Sequence, residues 1–327
     1  MGLAVVILAA GQGTRMKSAL PKMLHKAAGR PLLEHVLRAA RPLKPERLVV
    51  VIGHGADQYR EKYPQATDPQ ADFTFVYQER RLGTGHALMQ ARETLKGKAD
   101  EIMVLNGDGP LLHAETLKAL LARQRRSGSG MTMLTCRVDN PGGLGRIVRA
   151  QDGSVEAIVE EKDATAEQKS IKEINPGVFV FDREVFALAE RLSSENAAGE
   201  YYITDLVGLY LEEAKPVQAV LAKDASEVLA VNDRAQLAHV ERLLRERICR
   251  RWLSEGVTMI SPEQTFIDDT VVIEPDVVLY PGVFLRGQTV IRRGAVVGPY
   301  AVLDSCVVEA GVQVKAFTAL KNQHLST

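Results

Sequence analysis

The chain has 327 residues, about twice the length of a typical domain, which predicts two domains or one large domain with an appendage. Its 46% hydrophobic and 25% charged residues are typical of a globular protein and exclude the disordered and fibrous classes. Forty-one basic and 41 acidic residues give zero formal net charge, so overall charge favours neither nucleic acid nor an anionic membrane as a partner.

The cysteines and the apolar segments restrict the cellular setting. Cys136, Cys249 and Cys306 are far apart and form no CxxC pair, which argues against a zinc site or a disulfide framework and favours a reducing compartment. No apolar run approaches the roughly 18 residues of a membrane span, and the N-terminus lacks the basic start of a signal peptide. We therefore expect a soluble, cytoplasmic protein with no membrane partner.

Short apolar β-rich runs alternate with amphipathic segments from the N-terminus onwards. Strands are predicted at 3–9, 48–52, 73–77 and 102–105, and helices at 33–40, 86–95 and 115–126. Near-continuous hydrophobic strands separated by helices indicate a parallel sheet that is covered on both faces. The predicted fold class is α/β, with a doubly wound, mostly parallel, Rossmann-like sheet.

A hairpin is predicted after a strand at 131–138. Segments 146–149 and 155–159 flank Asp152-Gly153, a pair typical of an antiparallel turn, and indicate an inserted substrate-side subdomain. Strands at 178–181 and 217–221 and a helical stretch at 203–213 are expected to return to α/β order. A long helix at about 234–253 has apolar residues at helical spacing and is predicted to connect to the C-terminal part.

A six-residue repeat occupies the C-terminal part. Apolar residues recur at a strict interval of six from Phe266 through Val272 and Val296 to Leu320. With glycine or proline between its members, the repeat predicts a left-handed parallel β-helix of about three coils, in which the aliphatic residue of each hexad points inward. The predicted domains are an α/β domain at 1–232, a connecting helix at 233–255 and a short β-helix at 256–327.

The first strand ends in a glycine-rich turn, Gly11-Gln12-Gly13, at the position where open α/β sheets bind ligands. Its N–H groups would converge on an anion or a base edge, although a purely structural turn explains the glycines about as well. Arg15 and Lys22 would offset the charge of a triphosphate, unless they are ordinary solvated cations. The missing third glycine excludes a dinucleotide fingerprint, and the missing Gly-Lys-Ser/Thr excludes a Walker A loop.

Two further loops follow predicted strands. Asp108 offers an oxygen ligand for Mg²⁺, or simply forms a turn. Gln78 and the loop from Gly83 to His86 offer groups for a base edge, while His86 itself is expected to pack or cap rather than to catalyse. Neither a nucleophilic triad nor an HExxH motif occurs, which favours chemistry by positioning and charge neutralisation, as in nucleotidyl transfer.

The segments LAAGQGTRM at 8–16 and LPK at 20–22 resemble the signature of sugar-1-phosphate nucleotidyltransferases. VEEKDAT at 159–165 and GEYYITD at 199–205 narrow the resemblance to the bacterial N-acetylglucosamine-1-phosphate uridyltransferases. It implies Mg²⁺-dependent transfer from UTP to N-acetylglucosamine-1-phosphate, which gives UDP-N-acetylglucosamine for peptidoglycan and lipopolysaccharide precursors, and pyrophosphate. It also implies a homotrimer formed through the β-helix.

The resemblance assigns roles to individual positions. Arg15 and Lys22 would hold the phosphates as catalytic residues, and Asp108 with Asn232 would ligate Mg²⁺. The nucleotide would be bound by Leu8, Ala10, Gly11, Gly13, Gln78, Gly83 and Thr84. The sugar would be bound by Asn106, Gly145, Glu160 and Asn175.

Two positions depart from the family pattern: Asn106, where Tyr is frequent, and Pro176, where Thr is common. They leave open another sugar-1-phosphate or nucleoside triphosphate as substrate. A non-catalytic regulator that binds nucleotide-sugars is the other alternative. Bifunctional members of the family continue into further β-helix coils with glucosamine-1-phosphate acetyltransferase chemistry, so that activity is expected to be absent here.

Overall fold

The computed structural model describes residues 2–68 and 71–326. The contacts divide the chain into two compact units. The first combines the residues up to Leu24 with Leu32–Asp233, and the second combines His25–Pro31 with the residues from Arg234 onwards. In the described part of the chain, no helix is both long and apolar enough to cross a membrane.

The first unit is built on one large sheet. Up to Asp233 the strands are β1 Leu3–Ala9, β2 Lys26–Ala27, β3 Arg30–Pro31, β4 Arg47–Ile52, β5 Thr74–Tyr77, β6 Glu101–Asn106, β7 Met131–Arg137, β8 Gly145–Arg149, β9 Val155–Val159, β10 Glu173–Asn175, β11 Phe179–Asp182 and β12 Val217–Leu221. The α-helices are α1 Leu32–Ala40, α2 Ala56–Lys62, α3 Thr84–Gln90, α4 Arg92–Leu95, α5 Ala114–Ser127, α6 Ala166–Lys169, α7 Val185–Ala189, α8 Leu206–Glu212 and α9 Arg234–Ser254. All of these strands except β2 and β3 form the sheet, in the order β5-β4-β1-β6-β11-β7-β10-β8-β9, with β12 beside β7.

Strand β1 lies inside the sheet, and all of its residues are buried. Val5 and Ile7 belong to a hydrophobic core that includes residues of α1 and α5, whereas Val6 and Leu8 belong to a second core with residues of α3, α7 and α8. Side chains of a strand alternate between the two faces, so each face of the sheet has its own helical layer. The predicted doubly wound α/β fold is confirmed.

The sheet is more mixed than the sequence predicts. Strands β5, β4, β1 and β6 are parallel, and β12 is parallel to β7, but β11 runs antiparallel to both β6 and β7. Pro176-Gly177-Val178 is too short to form a crossover, so β10 and β11 pair in the same direction with successive parts of β7. The predicted hairpin of β8 and β9 is confirmed, with a tight turn closed by the Gly153 amide on the Ala150 carbonyl at 2.9 Å.

In the second unit, the β2–β3 hairpin packs on residues that follow much later in the chain. The Ala28 amide donates to Glu241 of α9 at 2.5 Å, and the Ala28 carbonyl accepts from the Asp269 amide at 2.9 Å. Arg30 forms an ion pair with Asp269 at 2.6 Å. These contacts group His25–Pro31 with the C-terminal unit, although nothing in the local sequence indicates this.

Three sheets of short parallel strands follow α9 in the second unit. The strands are β13 Thr258–Met259, β14 Phe266–Ile267, β15 Val272–Ile273, β16 Val278–Leu279, β17 Phe284–Arg286, β18 Val290–Ile291, β19 Val296–Val297, β20 Val302–Asp304, β21 Val307–Val308, β22 Gln313–Val314, β23 Ala319–Lys321 and β24 His324–Leu325. They pair as β13-β16-β19-β22, β14-β17-β20-β23 and β15-β18-β21-β24. This arrangement confirms a parallel β-helix. Each sheet contains four strands, so the β-helix has four coils, one more than expected.

The structure corrects the inward face of the hexads. Val272 is 50% exposed and Val296 is half-buried, whereas the next residues, Ile273 and Val297, are buried. Periodicity alone could not distinguish these faces because adjacent hexad positions are both apolar.

The repeat also loses one residue in its third coil. Val272 pairs with Val290, 18 positions on, but Val290 pairs with Val307, only 17 positions on. Because one residue is missing, the residues that continue the interval of six from Val272 change from the outer face to the inner face. Val308 and Val314, which belong to that series, are therefore buried as predicted.

The inward face can be tested with two adjacent valines of β19. Val297→Ala should lower the free energy of unfolding of the β-helix by roughly 1.5–3 kcal/mol because it removes buried methyl groups. Val296→Ala, on the outer face, should lower the free energy of unfolding by a clearly smaller amount. Calorimetric unfolding of both variants checks this, and equal losses would contradict the assignment of the inner face.

Candidate active site

A cavity of about 580 Å³ lies beside the carboxyl ends of β1, β5 and β6 in the first unit. Its lining residues are Leu8, Ala10, Gly11, Gln12, Lys22, Met23, Gln78, Arg81, Gly83, Thr84, Ala87, Asn106, Asp108 and Glu200. This is the edge at which open α/β sheets bind ligands. Most of the residues predicted to contact a nucleotide therefore share one cavity.

Lys22 forms the electrostatic centre of the cavity. Its ammonium lies 2.6 Å from Oδ2 of Asp108 and 3.0 Å from Oδ1 of Asn232. Lys22 and Asp108 have side chains that are only 9% and 14% exposed, so each charge needs the other. The structure thus brings together a predicted phosphate-binding cation and both predicted metal ligands.

Backbone contacts hold this group in place. The Gly107 amide donates to the Leu8 carbonyl at 2.9 Å, which ties the loop after β6 to the end of β1. The Val231 amide donates to the Asp108 carbonyl at 2.9 Å and thereby sets Asn232 beside Asp108. Gly13, at φ 64°, lies so close to Lys22 that a Cβ would be 2.7 Å from the lysine Cβ. Gly13 therefore makes room for Lys22, while no atom lies within 4 Å of a Cβ on Gly11.

Arg15 lies apart from this group. It belongs to the single 3₁₀ turn Thr14–Met16, is exposed, and is not among the residues that line the cavity. Its predicted contact with phosphate stays a prediction.

The loop before α3 is held by the GEYYITD segment. The Gly85 amide donates to the Tyr201 carbonyl at 2.8 Å, and the Tyr201 amide donates to the Leu82 carbonyl at 2.7 Å. Gly83 has φ 104°, and a Cβ there would lie 2.5 Å from the Tyr201 oxygen. The Thr84 hydroxyl accepts from the Ile203 amide at 3.0 Å. The segment at 199–205, to which the sequence assigns no role, thus shapes the predicted base-binding loop.

Three of the four predicted sugar-binding residues come together at one end of the β10–β8–β9 sheet. Asn175 is paired with Gly145, and a Cβ on Gly145 would lie 3.2 Å from Oε1 of Glu160. Thr204 donates to the same Glu160 oxygen at 3.2 Å. Burial raises the pKa of Glu160, with a further contribution from Asp205. The group offers a carboxylate and an amide, which suit the hydroxyl and amide groups of a sugar.

A buried arginine supports this end of the sheet. Arg146 is 1% exposed and its guanidinium lies 2.6 Å from Glu161, which also accepts from the Gly143 amide at 3.2 Å. The pair joins the strand that contains Gly145 to the segment that contains Glu160. The sequence places Glu161 in the VEEKDAT segment but does not indicate its contact with Arg146.

The two departures from the family pattern are in contact with each other. Nδ2 of Asn106 donates to the Pro176 carbonyl at 3.3 Å. Gly177, at φ 78°, packs so tightly on this amide that a Cβ would lie 2.0 Å from Nδ2. Asn106 and Pro176 therefore form one local arrangement between the cavity and Asn175.

Three polar residues of the cavity were not predicted as site residues. Arg81 donates to Oε1 of Gln12 at 2.6 Å, so the side chains of two loops meet in the cavity wall. Glu200 lines the cavity from the GEYYITD segment. Gln12 lies inside the LAAGQGTRM segment and Glu200 inside the GEYYITD segment, but the sequence assigns a role to neither of them, and Arg81 lies outside the quoted motifs.

A metal at this site would have few protein ligands. In residues 2–68 and 71–326, no three His, Cys, Asp or Glu side chains come together as a metal-binding group. Oδ1 of Asp108 is buried and has no hydrogen-bond partner there. One carboxylate oxygen and a nearby amide oxygen match Mg²⁺, which commonly takes most of its ligands from water and phosphate.

Comparison with known proteins agrees with this geometry. Residues 5–259 match the model of the MobA-like NTP transferase domain. The chain is 46% identical over 323 residues to a bifunctional protein GlmU of Thermus thermophilus, a match that covers 98% of this chain and 69% of that protein. It is 43% identical to the bifunctional protein GlmU of Trichlorobacter lovleyi, over 99% of this chain and 70% of that protein. The chain belongs to the GlmU family.

Membership of the GlmU family makes the chain a nucleotidyltransferase, which confirms the predicted class of enzyme. The bifunctional protein GlmU of Alkaliphilus oremlandii is a further relative, 42% identical over 99% of this chain and 70% of its own length. The non-catalytic alternative is therefore set aside. The matched length includes both units of this chain.

The role of the loop before α3 can be tested at Gly83. Gly83→Ala would force a Cβ against the Tyr201 backbone, so the KM for the nucleotide should rise at least about tenfold and the melting temperature should fall. Gly128→Ala is the control, because Gly128 also has a positive φ, 60°, but no atom lies within 4 Å of its Cβ position. An unchanged KM in Gly83→Ala would contradict the assigned role of the loop.

Proposed function

We propose that the chain transfers a uridylyl group from UTP to N-acetylglucosamine-1-phosphate. A phosphate oxygen of the sugar-1-phosphate attacks the α-phosphorus of UTP, the bond to the β-phosphate breaks, and pyrophosphate leaves. The observation that best supports this is the single cavity that combines Lys22 and Asp108 with Gln78 and the loop at Gly83. The likeness to GlmU proteins supports the same function.

The nucleotide base would lie against the loops after β1 and β5. Ala10 and Gly11 present backbone groups, and no atom lies within 4 Å of a Cβ position on Gly11. Gln78 is 4% exposed and its backbone amide donates to the Ile52 carbonyl at 2.8 Å, so it is a fixed polar group in the wall. Fixed polar groups reject ligands that leave them without a partner.

Charge neutralisation would come mainly from Lys22. Its ammonium is already held by Asp108 and Asn232, so little reorganisation is needed to oppose negative charge on phosphate oxygens. Arg15 would add a second cation from its exposed turn, and Arg81 lies in the cavity wall. The roles of Lys22 and Arg81 rest on their charge and their place in the cavity, whereas that of Arg15 rests on its charge and the resemblance to the family.

Asp108 and Asn232 fit a bound Mg²⁺. The unpartnered Oδ1 of Asp108 and the side-chain oxygen of Asn232 are hard ligands on adjacent loops. When bound, the ion would neutralise phosphate charge and make the α-phosphorus more electrophilic. Lys22, which touches both side chains, would keep them in position.

The sugar would be bound by Asn106, Gly145, Glu160 and Asn175. Glu160 and Asn175 are polar groups at one sheet edge, and Asn106 connects that edge to the cavity through Pro176. The Asn106–Pro176 contact is a specific reason to consider a different sugar-1-phosphate as the second candidate substrate. In the cell, we propose a cytoplasmic role in the synthesis of cell-envelope precursors.

A substrate panel tests the proposed function directly. Pyrophosphate release should be highest with UTP and N-acetylglucosamine-1-phosphate among four nucleoside triphosphates and several sugar-1-phosphates. A preference for another sugar would favour the second candidate, and a preference for another base would refute the proposal. The expected lack of acetyltransferase activity and the expected trimer stay predictions, which thiol release from acetyl-coenzyme A and sedimentation analysis of the same sample would test.

Asp108→Asn tests the proposed metal ligand. Turnover should fall roughly 10²- to 10⁴-fold, and the melting temperature should fall as well, because Lys22 keeps its buried charge while Asn offers it only a neutral oxygen. Mn²⁺ binding, followed by electron paramagnetic resonance, should weaken in parallel. Asp57→Asn, at a side chain that is 98% exposed, is the control. Undiminished Mn²⁺ binding in Asp108→Asn would exclude the assigned ligand role.

A further inference from the structure

Two acceptor groups fix the orientation of the Gln78 side-chain amide. Its Nε2 lies 3.1 Å from the Gly83 carbonyl oxygen and 2.9 Å from Nδ1 of His86. A carbonyl oxygen only accepts hydrogen bonds, so Gly83 requires the amide nitrogen, and not the amide oxygen, at this position. The second hydrogen of that nitrogen is then available to the His86 ring.

His86 can accept this bond only if Nδ1 has no proton. Gln90 approaches the other ring nitrogen, because its Nε2 lies 3.3 Å from Nε2 of His86 and 3.0 Å from the His86 carbonyl. A neutral imidazole has one acceptor nitrogen, so only one of the two ring contacts is a hydrogen bond. We assign it to the 2.9 Å contact with Gln78, since the 3.3 Å contact is longer than the usual range.

The neutral ring suits its surroundings. Burial, followed by the charge of Arg80, lowers the pKa of His86. Because amide nitrogens approach both ring nitrogens, a doubly protonated ring would meet donors on both sides. His86 therefore serves as an acceptor for Gln78.

With its nitrogen engaged twice, the Gln78 amide has only its oxygen left for a ligand. Gln78 lines the cavity, and no described residue donates to its Oε1. A fixed acceptor selects a base edge that has an N–H donor. Uracil has such a donor at N3, whereas N3 of cytosine is itself an acceptor and would face Oε1 without a hydrogen bond.

We propose that His86 is a positioning residue that holds the Gln78 amide with Oε1 towards the cavity and thereby sets the preference for uracil over cytosine. The inference rests on the proposed function, in which the base lies against Gln78. His86 acts through Gln78 and does not contact the nucleotide.

Three substitutions at one position test the proposal. In His86→Leu the ratio of kcat/KM for UTP over CTP should fall about tenfold or more, through a higher KM for UTP, with kcat changed less than about twofold. His86→Asn should restore most of the ratio, because the Asn side-chain oxygen can take the place of Nδ1. His86→Gln, whose oxygen reaches towards the Nε2 position instead, should behave like His86→Leu. The KM for N-acetylglucosamine-1-phosphate should stay unchanged in all three.

The possible results separate the two proposals. If the wild-type chain does not prefer UTP over CTP, the proposed function fails, and this inference fails with it. If the wild type prefers UTP but folded His86→Leu keeps the full ratio, only the inference is overturned. If the ratio for UTP over CTP falls as far in His86→Asn as in His86→Leu, the loop is damaged in general. That result would also overturn the inference.

A measurement on the wild type tests the tautomer directly and needs the folded His86→Asn variant only to identify the signals. Nitrogen NMR of the imidazole rings should show His86 as the neutral tautomer with a proton on Nε2 and none on Nδ1. The His86 signals are identified among the seven histidines by their absence in His86→Asn. A proton on Nδ1 would contradict the assigned hydrogen bond.

Discussion

The ion pair between Lys22 and Asp108 is the contact on which the candidate active site depends. Both side chains are largely buried, and an isolated charge there would be costly, so the pair forces the loop after β1 and the loop after β6 to converge. Asn232 joins them from a third segment because the Val231 amide is bound to the Asp108 carbonyl. The polar centre of the cavity is therefore assembled from distant parts of the chain and held in place by contacts within the protein.

Close approach of backbone to neighbouring groups is the second constraint on the site. Gly13 makes room for Lys22, Gly83 lies against the Tyr201 backbone, and Gly177 lies against the Asn106 amide. All three have positive φ, so a side chain would add both strain and overlap. These three glycines thus allow neighbouring residues to reach their positions in the site.

Local pattern was enough to predict much of the fold. The first strand was predicted at the residues it occupies, and the alternation of apolar runs and helices gave the correct fold class because both depend on short-range burial. The antiparallel direction of β11 and the grouping of His25–Pro31 with the second unit depend on distant partners, so spacing could not reveal them. The inner face of the β-helix was missed because neighbouring hexad positions are both apolar, and a single lost residue then changed the face.

In the candidate active site, too, the sequence could predict some features and not others. Lys22, Asp108 and Gln78 follow strands whose carboxyl ends share one edge, so their convergence could be inferred from topology. The position of Glu200 in the cavity and the contact between His86 and Gln78 could not be inferred, because both depend on tertiary packing.

The contact between Asn106 and Pro176 links the cavity to the strands that follow. Pro176 separates β10 from β11 and accepts a hydrogen bond from Asn106 through its carbonyl. In the proposed function Asn106 contacts the sugar and Gln78 the base, so the Asn106–Pro176 contact would affect selection of the sugar, while the contacts of Gln78 with Gly83 and His86 would affect selection of the base.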